Sequence, residues 1–186
     1  IRIRHGRPSV PHSRRRTARE TGRSVVEANG DQRRRCERAL TALQNHGWTL
    51  AVAESLTGGM LSAAIVEVPG ASTVYRGGAT TYATDTKASV LGVDGDQLAA
   101  TGPVNDEVAK QMAFGAARLF GADWAMSTTG VAGPGDSPDG KQGTVFVAVH
   151  GPSGQKVKCH HFRGGRQAVR EQAVNAALDL LLECLP

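Results

Sequence analysis

Apolar and polar residues follow two periods along this chain, and the switches between them mark its elements. The run Leu50-Ala51-Val52-Ala53 predicts a short buried strand over residues 49–53, and Met60 to Val66 predicts an apolar helix. Tyr75 to Tyr82 reads as a strand whose glycines permit close backbone approach. Trp124 to Thr128 is a second short apolar run of strand type. Two β-rich runs follow, Gly143 to His150 and Lys156 to Phe162, joined by the hairpin signal Gly151-Pro152-Ser153-Gly154.

Helical spacing appears elsewhere. Cys36, Leu40 and Leu43 place a helix from about Asp31 or Gln32 to Asn45, stopped by Gly47. Asp85 to Leu91 reads as a short helix ended by Gly92, and Asp94 to Ala100 as a loop with room for a helical turn. Asn105 is an N-cap for a helix to about Phe120, with Val108, Met112, Ala116 and Leu119 on its inner face. Arg166 to Glu183 is a long helix with Val169, Ala173, Ala176, Ala177 and Leu180 inward. Residues 1–30 hold Pro8, Pro11 and Arg14-Arg15-Arg16 but no hydrophobic period, so an irregular or disordered segment is expected.

Composition changes this picture in two places. The chain has 186 residues, 40% of them hydrophobic, enough for one domain with a sizeable core. No apolar run nears the roughly 18 residues of a membrane helix, and no secretory apolar segment stands at the start. Cys36, Cys159 and Cys184 are odd in number and far apart. That argues against a disulfide framework or a zinc site, and a reducing, cytoplasmic setting is expected. The net charge of +5 is unevenly placed: residues 1–38 carry 12 arginines against 4 acidic residues, and the remainder is mildly acidic. The expected organisation is a basic extension over residues 1–35 and a domain over residues 36–186. The extension reads as a nucleic-acid arm, a targeting segment or a stretch without a selected role. The lack of interleaved aromatics weighs against the first.

The chemistry is concentrated where strands hand over to helices. After the first strand come Glu54-Ser55-Leu56-Thr57-Gly58-Gly59, and in an open α/β sheet that crevice is where ligands bind. Ser55 could act as a nucleophile, or Thr57, Gly58 and Gly59 could cradle an anion at the helix N-terminus. The bland alternative is a strand-to-helix turn with a Ser or Thr cap. Thr128-Thr129-Gly130-Val131-Ala132-Gly133-Pro134-Gly135 repeats the pattern after another strand. Lys87 falls in the first turn of its helix, where the dipole disfavours a cation; it is either used there or a solvated surface lysine.

Three other motifs fail. Gly135 to Gln142 nearly spells a P-loop, but Gln142 replaces the magnesium-binding hydroxyl and a strand follows. Ser153-Gly154-Gln155-Lys156 spans a hairpin, not the helix that a Ser-x-x-Lys pair needs. His160 and His161 point to opposite faces of a strand, and no His/Asp/Glu cluster has convincing metal-ligand spacing.

Taken in order, several motifs together resemble the C-terminal domain of the competence/damage-inducible protein family, the nicotinamide-nucleotide amidohydrolases. They are Ala53-Glu54-Ser55-Leu56-Thr57-Gly58-Gly59, Val68-Pro69-Gly70, Thr81-Tyr82, Lys87, Leu91-Gly92-Val93 and Thr129-Gly130-Val131-Ala132-Gly133-Pro134-Gly135. The resemblance covers about residues 36–185. The molybdopterin-binding-like domain of longer members has no counterpart in this sequence, so a stand-alone form is expected. One departure is visible: Leu56 stands where the family has Cys after the motif serine.

The resemblance implies a three-layer α/β/α sandwich with a mixed sheet of about five strands, and no metal or cofactor. It implies hydrolysis of nicotinamide mononucleotide to nicotinic acid mononucleotide and ammonia. Ser55 matches the nucleophile, Lys87 its base and Tyr82 the nearby tyrosine. Thr129 matches the threonine before the glycine loop, and Arg166 an arginine opening the last helix. A neutral lysine can serve as base if burial or positive charge lowers its pKa, and the helix N-terminus at Lys87 is such a field. Backbone N–H groups from Leu56 to Gly59 would stabilise the oxyanion. Tyr82 would relay a proton or orient the lysine. Thr129, Gly130, Gly133, Gly135 and Arg166 would take the phosphate. A homo-oligomer is expected. The competing readings are a nucleotide-binding regulatory module without turnover and a nucleic-acid-associated protein that uses the basic arm.

Overall fold

The computed structural model of the chain describes the backbone of residues 17–186 and the side chains from residue 30 onward. A first unit ends at Asp31; a second, Gln32–Pro186, carries the sheet and the candidate site. The elements in order are α1 (Thr17–Asn45), β1 (Leu50–Glu54), α2 (Met60–Val66), β2 (Tyr75–Thr80), α3 (Thr84–Leu91) and α4 (Gly95–Thr101). They continue with α5 (Asp106–Phe120), β3 (Trp124–Gly130), β4 (Thr144–Gly151), β5 (Gly154–His161) and α6 (Arg166–Cys184). The sheet order is β2-β1-β3-β4-β5. β1 runs parallel to both β2 and β3, and β3, β4 and β5 are antiparallel, so the sheet is mixed.

Strand alternation divides the molecule into three layers. Leu50, Val52, Trp124, Met126, Val145, Val147 and Val149 face one way, and α1, α2 and α6 cover them with Leu43, Leu61, Ile65, Val169 and Leu181. The opposite face is lined by Ala51, Ala53, Ala125 and Ala148. Such small side chains let α5 lie close, with Val108, Ala109, Met112, Ala113 and Ala116 against them. The expected α/β/α sandwich with five strands is therefore what forms.

Several boundaries differ from expectation. The first helix begins at Thr17, not near Asp31. Hydrophobic period was blind to this stretch, but Arg, Glu and Ala are good helix formers and the last proline before it stands at residue 11. The polyanion-binding reading falls largely on residues outside the described ones. The expected loop at residues 94–100 is the helix α4, because the Asp94 carboxylate accepts from the N–H groups of Asp96 and Gln97. Leu119 is half exposed rather than inward. Its neighbour Phe120 lies against Gly77 of the edge strand β2, so α5 has reached the end of the sheet there.

The tightest helix contact is at Gly115 of α5, where an added Cβ would overlap the Leu91 carbonyl at the end of α3. Helix propensity alone would make Gly115→Ala stabilising by about 1 kcal/mol. The overlap is expected to win, so urea unfolding should show a loss of about 1–3 kcal/mol. A more stable variant would mean that α3 shifts aside without cost.

Candidate active site

β1, β2 and β3 end side by side, and the chain leaves them in different directions. After β1 it enters α2 on one face; after β2 it enters α3 on the other. A crevice must open between such departures. It holds a cavity of about 280 Å³, just under the ~300–1,000 Å³ usual for small-molecule sites. Ser55 and Leu56 line it from the first turn, Tyr82, Thr84 and Lys87 from the second, and residues 129–137 with Asp139 from the third. Arg166 closes one side from the start of α6.

The first turn is shaped by Glu54. Its carboxylate is wholly buried and accepts four hydrogen bonds. Oε2 takes the N–H groups of Gly59 (2.9 Å) and Leu61 (3.1 Å), and Oε1 takes Ser62 N–H (2.9 Å) and Ser62 Oγ (2.6 Å). The helix α2 is thus capped by a carboxylate from the strand before it, not by the Ser or Thr of the bland alternative. Gly59 adopts φ 96°, which a side chain would strain, so that its N–H reaches Glu54. Gly58 N–H donates to Ser55 O at 3.1 Å. Thr57 Oγ1 pairs with Thr128 Oγ1 at 2.8 Å. Thr57, Gly58 and Gly59 therefore do not line the cavity; their polar groups build the turn. From α6, Arg170 donates to Leu56 O and Thr57 O, each at 2.9 Å. Within this turn the N–H groups of Leu56 and Thr57 have no partner among the described hydrogen bonds, and Leu56 borders the cavity.

The second turn delivers Lys87. It is 1% exposed, so the surface-lysine reading is overturned. Its Nζ donates to Thr81 O at 2.7 Å and lies 3.2 Å from Ser55 Oγ. Ser55 itself is 9% exposed, with its side chain at the cavity floor. Burial brings the Lys87 ammonium down from 10.5 to about 8, against the opposing pull of the Asp139 carboxylate. Of the two causes named from sequence, burial or nearby positive charge, burial is the one that lowers it here.

Tyr82 sits differently from expectation. It is 60% exposed, and its hydroxyl accepts from Arg166 Nη2 at 2.8 Å. Arg166 Nη1 donates to Gly133 O at 2.6 Å. Tyr82, Arg166 and Gly133 form a rim, and no described hydrogen bond joins Tyr82 to Lys87. In the third turn, Thr129 Oγ1 donates to Pro103 O at 2.7 Å, so its proton is already engaged. Gly130, Gly133 and Gly135 line the cavity, but Gly135 N–H is taken by Gln142 Oε1 at 2.6 Å. Gln142 also donates from Nε2 to Gly164 O and from N–H to Asp136 Oδ1. The residue that spoils the P-loop reading is what folds this loop.

Glu54, Arg170, Asp139 and Gln142 were not foreseen as site residues. Only Glu54 had a local signal, a carboxylate beside the motif serine. Among the described residues, no group of three or more His, Cys, Asp or Glu could hold a metal ion, and no helix is long and apolar enough to cross a membrane.

The profile described as the CinA C-terminal domain matches residues 33–185. A CinA-like protein of Geobacter metallireducens is 48% identical over 136 residues, which are 73% of this chain and 33% of that protein. One from Frankia casuarinae is 46% identical over 137 residues, covering 74% and 32%. The chain thus spans about a third of the length of the curated relatives it matches. Among solved structures, the competence/damage inducible protein of Agrobacterium tumefaciens is similar at TM-score 0.79 and 33% identity, covering 82% of this chain and 94% of that one. A CinA superfamily protein of Klebsiella pneumoniae gives 0.80 and 34%, covering 83% and 97%.

Both Glu54 oxygens accept N–H groups, so Glu54→Gln must aim an NH₂ at two donors. It is expected to cost about 1–3 kcal/mol in urea unfolding. Ser62→Ala removes one donor to Glu54 but also the acceptor of the Tyr75 hydroxyl, so the two are compared in a Tyr75→Phe background, where equal losses would remove the capping role.

Proposed function

The chain belongs to the CinA C-terminal domain family, and from that premise we propose that it is an amidohydrolase of serine–lysine type. Its substrate is nicotinamide mononucleotide, and its products are nicotinic acid mononucleotide and ammonia. The observation that carries the reading is the pairing of Ser55 Oγ with the buried Lys87 Nζ at 3.2 Å on the floor of a cavity.

A serine hydroxyl needs a base to become a nucleophile at neutral pH. Lys87 serves when it has lost its proton, and burial makes that loss accessible near pH 8. Its bond to Thr81 O fixes the amine against Ser55. Ser55 Oγ attacks the carboxamide carbon and its proton passes to Lys87 Nζ. The carbonyl oxygen takes up the negative charge, for which Leu56 N–H, without a described partner and on a residue that lines the cavity, is the candidate donor. Gly58 N–H holds the Ser55 carbonyl, which belongs to the same planar peptide as Leu56 N–H and so orients it. The tetrahedral carbon then expels ammonia, which takes the proton back from Lys87. Water then attacks the acyl carbon and gives a proton to Lys87 Nζ; the bond from carbon to Ser55 Oγ breaks, the proton passes from Lys87 to Oγ, and the acid leaves. The phosphate falls to Arg166, since the Thr129 proton and Gly135 N–H are engaged and Arg166 uses only two of its N–H donors in described bonds.

Ammonia release from nicotinamide mononucleotide tests this directly. Ser55→Ala and Lys87→Met should each lower turnover by roughly 10²–10⁴-fold while folding normally. Near-normal release in either removes the pair. Nucleotide binding without ammonia from the wild type would favour the non-catalytic module.

The pH dependence has a definite sign. The active form is neutral Lys87, so kcat/KM should rise with pH through about 8 and level off above it. A profile flat from pH 6 to 9 would exclude Lys87 as the base.

A further inference from the structure

The cavity wall carries two carboxylates, and they are in different situations. Asp136 Oδ1 accepts from Gln142 N–H at 2.8 Å and is part of the loop's framework. Asp139 sits in a tight turn closed by the reciprocal bonds Ser137 N–H to Gly140 O (2.9 Å) and Gly140 N–H to Ser137 O (3.1 Å). Its own N–H donates to Ser137 Oγ at 3.2 Å. The turn is thus held without the Asp139 side chain. Among the described hydrogen bonds and ion pairs, none ends on the Asp139 carboxylate. That carboxylate reaches in beside Gly102, where an added Cβ would lie 3.1 Å from Oδ1. It is also the charged group that acts on Lys87.

The cavity is therefore polarised. Asp139 acts electrostatically on Lys87, which lies against Ser55, while the Arg166 guanidinium is held at the rim by Tyr82 and Gly133. A nicotinamide nucleotide carries the same polarity in reverse: a cationic pyridinium beside the reacting carboxamide, and a phosphate at the other end. With the carboxamide on Ser55, the ring's charge comes to the side of the unengaged carboxylate. A neutral ring of the same shape gains nothing from it.

We infer that Asp139 reads the positive charge of the ring, so that the site selects N-substituted pyridinium carboxamides over uncharged nicotinamide rings. This rests on the cavity being a nicotinamide-nucleotide site. The matched probes are nicotinamide mononucleotide and its dihydro form, which keeps the ribose phosphate and carboxamide but has an uncharged ring.

Binding of both is measured by calorimetry in Ser55→Ala, which prevents turnover, with and without Asp139→Asn. The carboxylate should favour the cationic ring by about tenfold, less at high salt, and Asp139→Asn should bring the two affinities together. The titration is run at about pH 9.5, above the Lys87 pKa of about 8, where the amine is largely uncharged with or without Asp139, so the ratio isolates the ring charge. A preference that survives Asp139→Asn overturns the inference while leaving the hydrolytic reading intact if the wild type still releases ammonia. A preference lost in Asp139→Asn, with no ammonia from the wild type, sustains the inference and sinks the hydrolysis. Failure of nicotinamide mononucleotide to bind overturns both.

Discussion

The constraint on which this site depends is the burial of one amine. Lys87 is among the largest fully buried side chains of the molecule, and an unpaired ammonium in such a place is costly. The fold offers it a carbonyl oxygen and a hydroxyl, Thr81 O and Ser55 Oγ, but among the described residues no carboxylate within ion-pairing distance. A close acid would have restored the ordinary lysine pKa and with it an inert ammonium. Asp139 acts in that direction, but only weakly enough to leave the value near 8. The same desolvation that makes the residue expensive to fold makes it usable as a base.

Holding the serine against that amine requires the ends of two strands to be fixed independently. β1 and β2 are hydrogen-bonded neighbours, and Thr81 N–H donates to Glu54 O, so the two turns leave a common edge in register. Glu54 then sets the first turn by drawing four donors from the start of α2 onto one carboxylate. The second turn is set by α3, whose end is pressed against Gly115 of α5. That helix can approach because the sheet shows it alanines. Small residues far from the cavity thus decide where Lys87 stands.

The layers were legible in the sequence because burial writes itself as period. Leu50 to Ala53, Val108 with Met112 and Ala116, and Val169 with Ala173 all read correctly. The first helix did not, because Thr17 to Gly30 has helix formers but no apolar stripe for a period to detect. In the site, Ser55 and Lys87 come together as the family resemblance implied, while Thr57, Gly58 and Gly59 are engaged by Thr128, the Ser55 carbonyl and Glu54. A hydroxyl or an amide N–H looks the same in sequence whether it faces a ligand or a carbonyl. Thr129 illustrates this: its partner, Pro103 O, lies 26 residues away and leaves no local trace. Arg170 is hidden for the same reason, since its partners Leu56 O and Thr57 O are more than a hundred residues distant.

Three acids in and around the cavity show how saturation separates framework from function. Glu54 has both oxygens filled and no exposure; it can only hold α2 in place. Asp136 has one oxygen engaged by Gln142 N–H and serves the loop. Asp139 has no described partner and stands exposed on the wall, in a turn that closes without it. Leaving the exposed Asp139 carboxylate without a protein partner costs the folded chain little, because water solvates it. What the chain gains is a negative field with unused acceptor capacity, beside the point where a cationic ring would arrive. By that criterion the residue without bonds carries more information about the ligand than the residues with many.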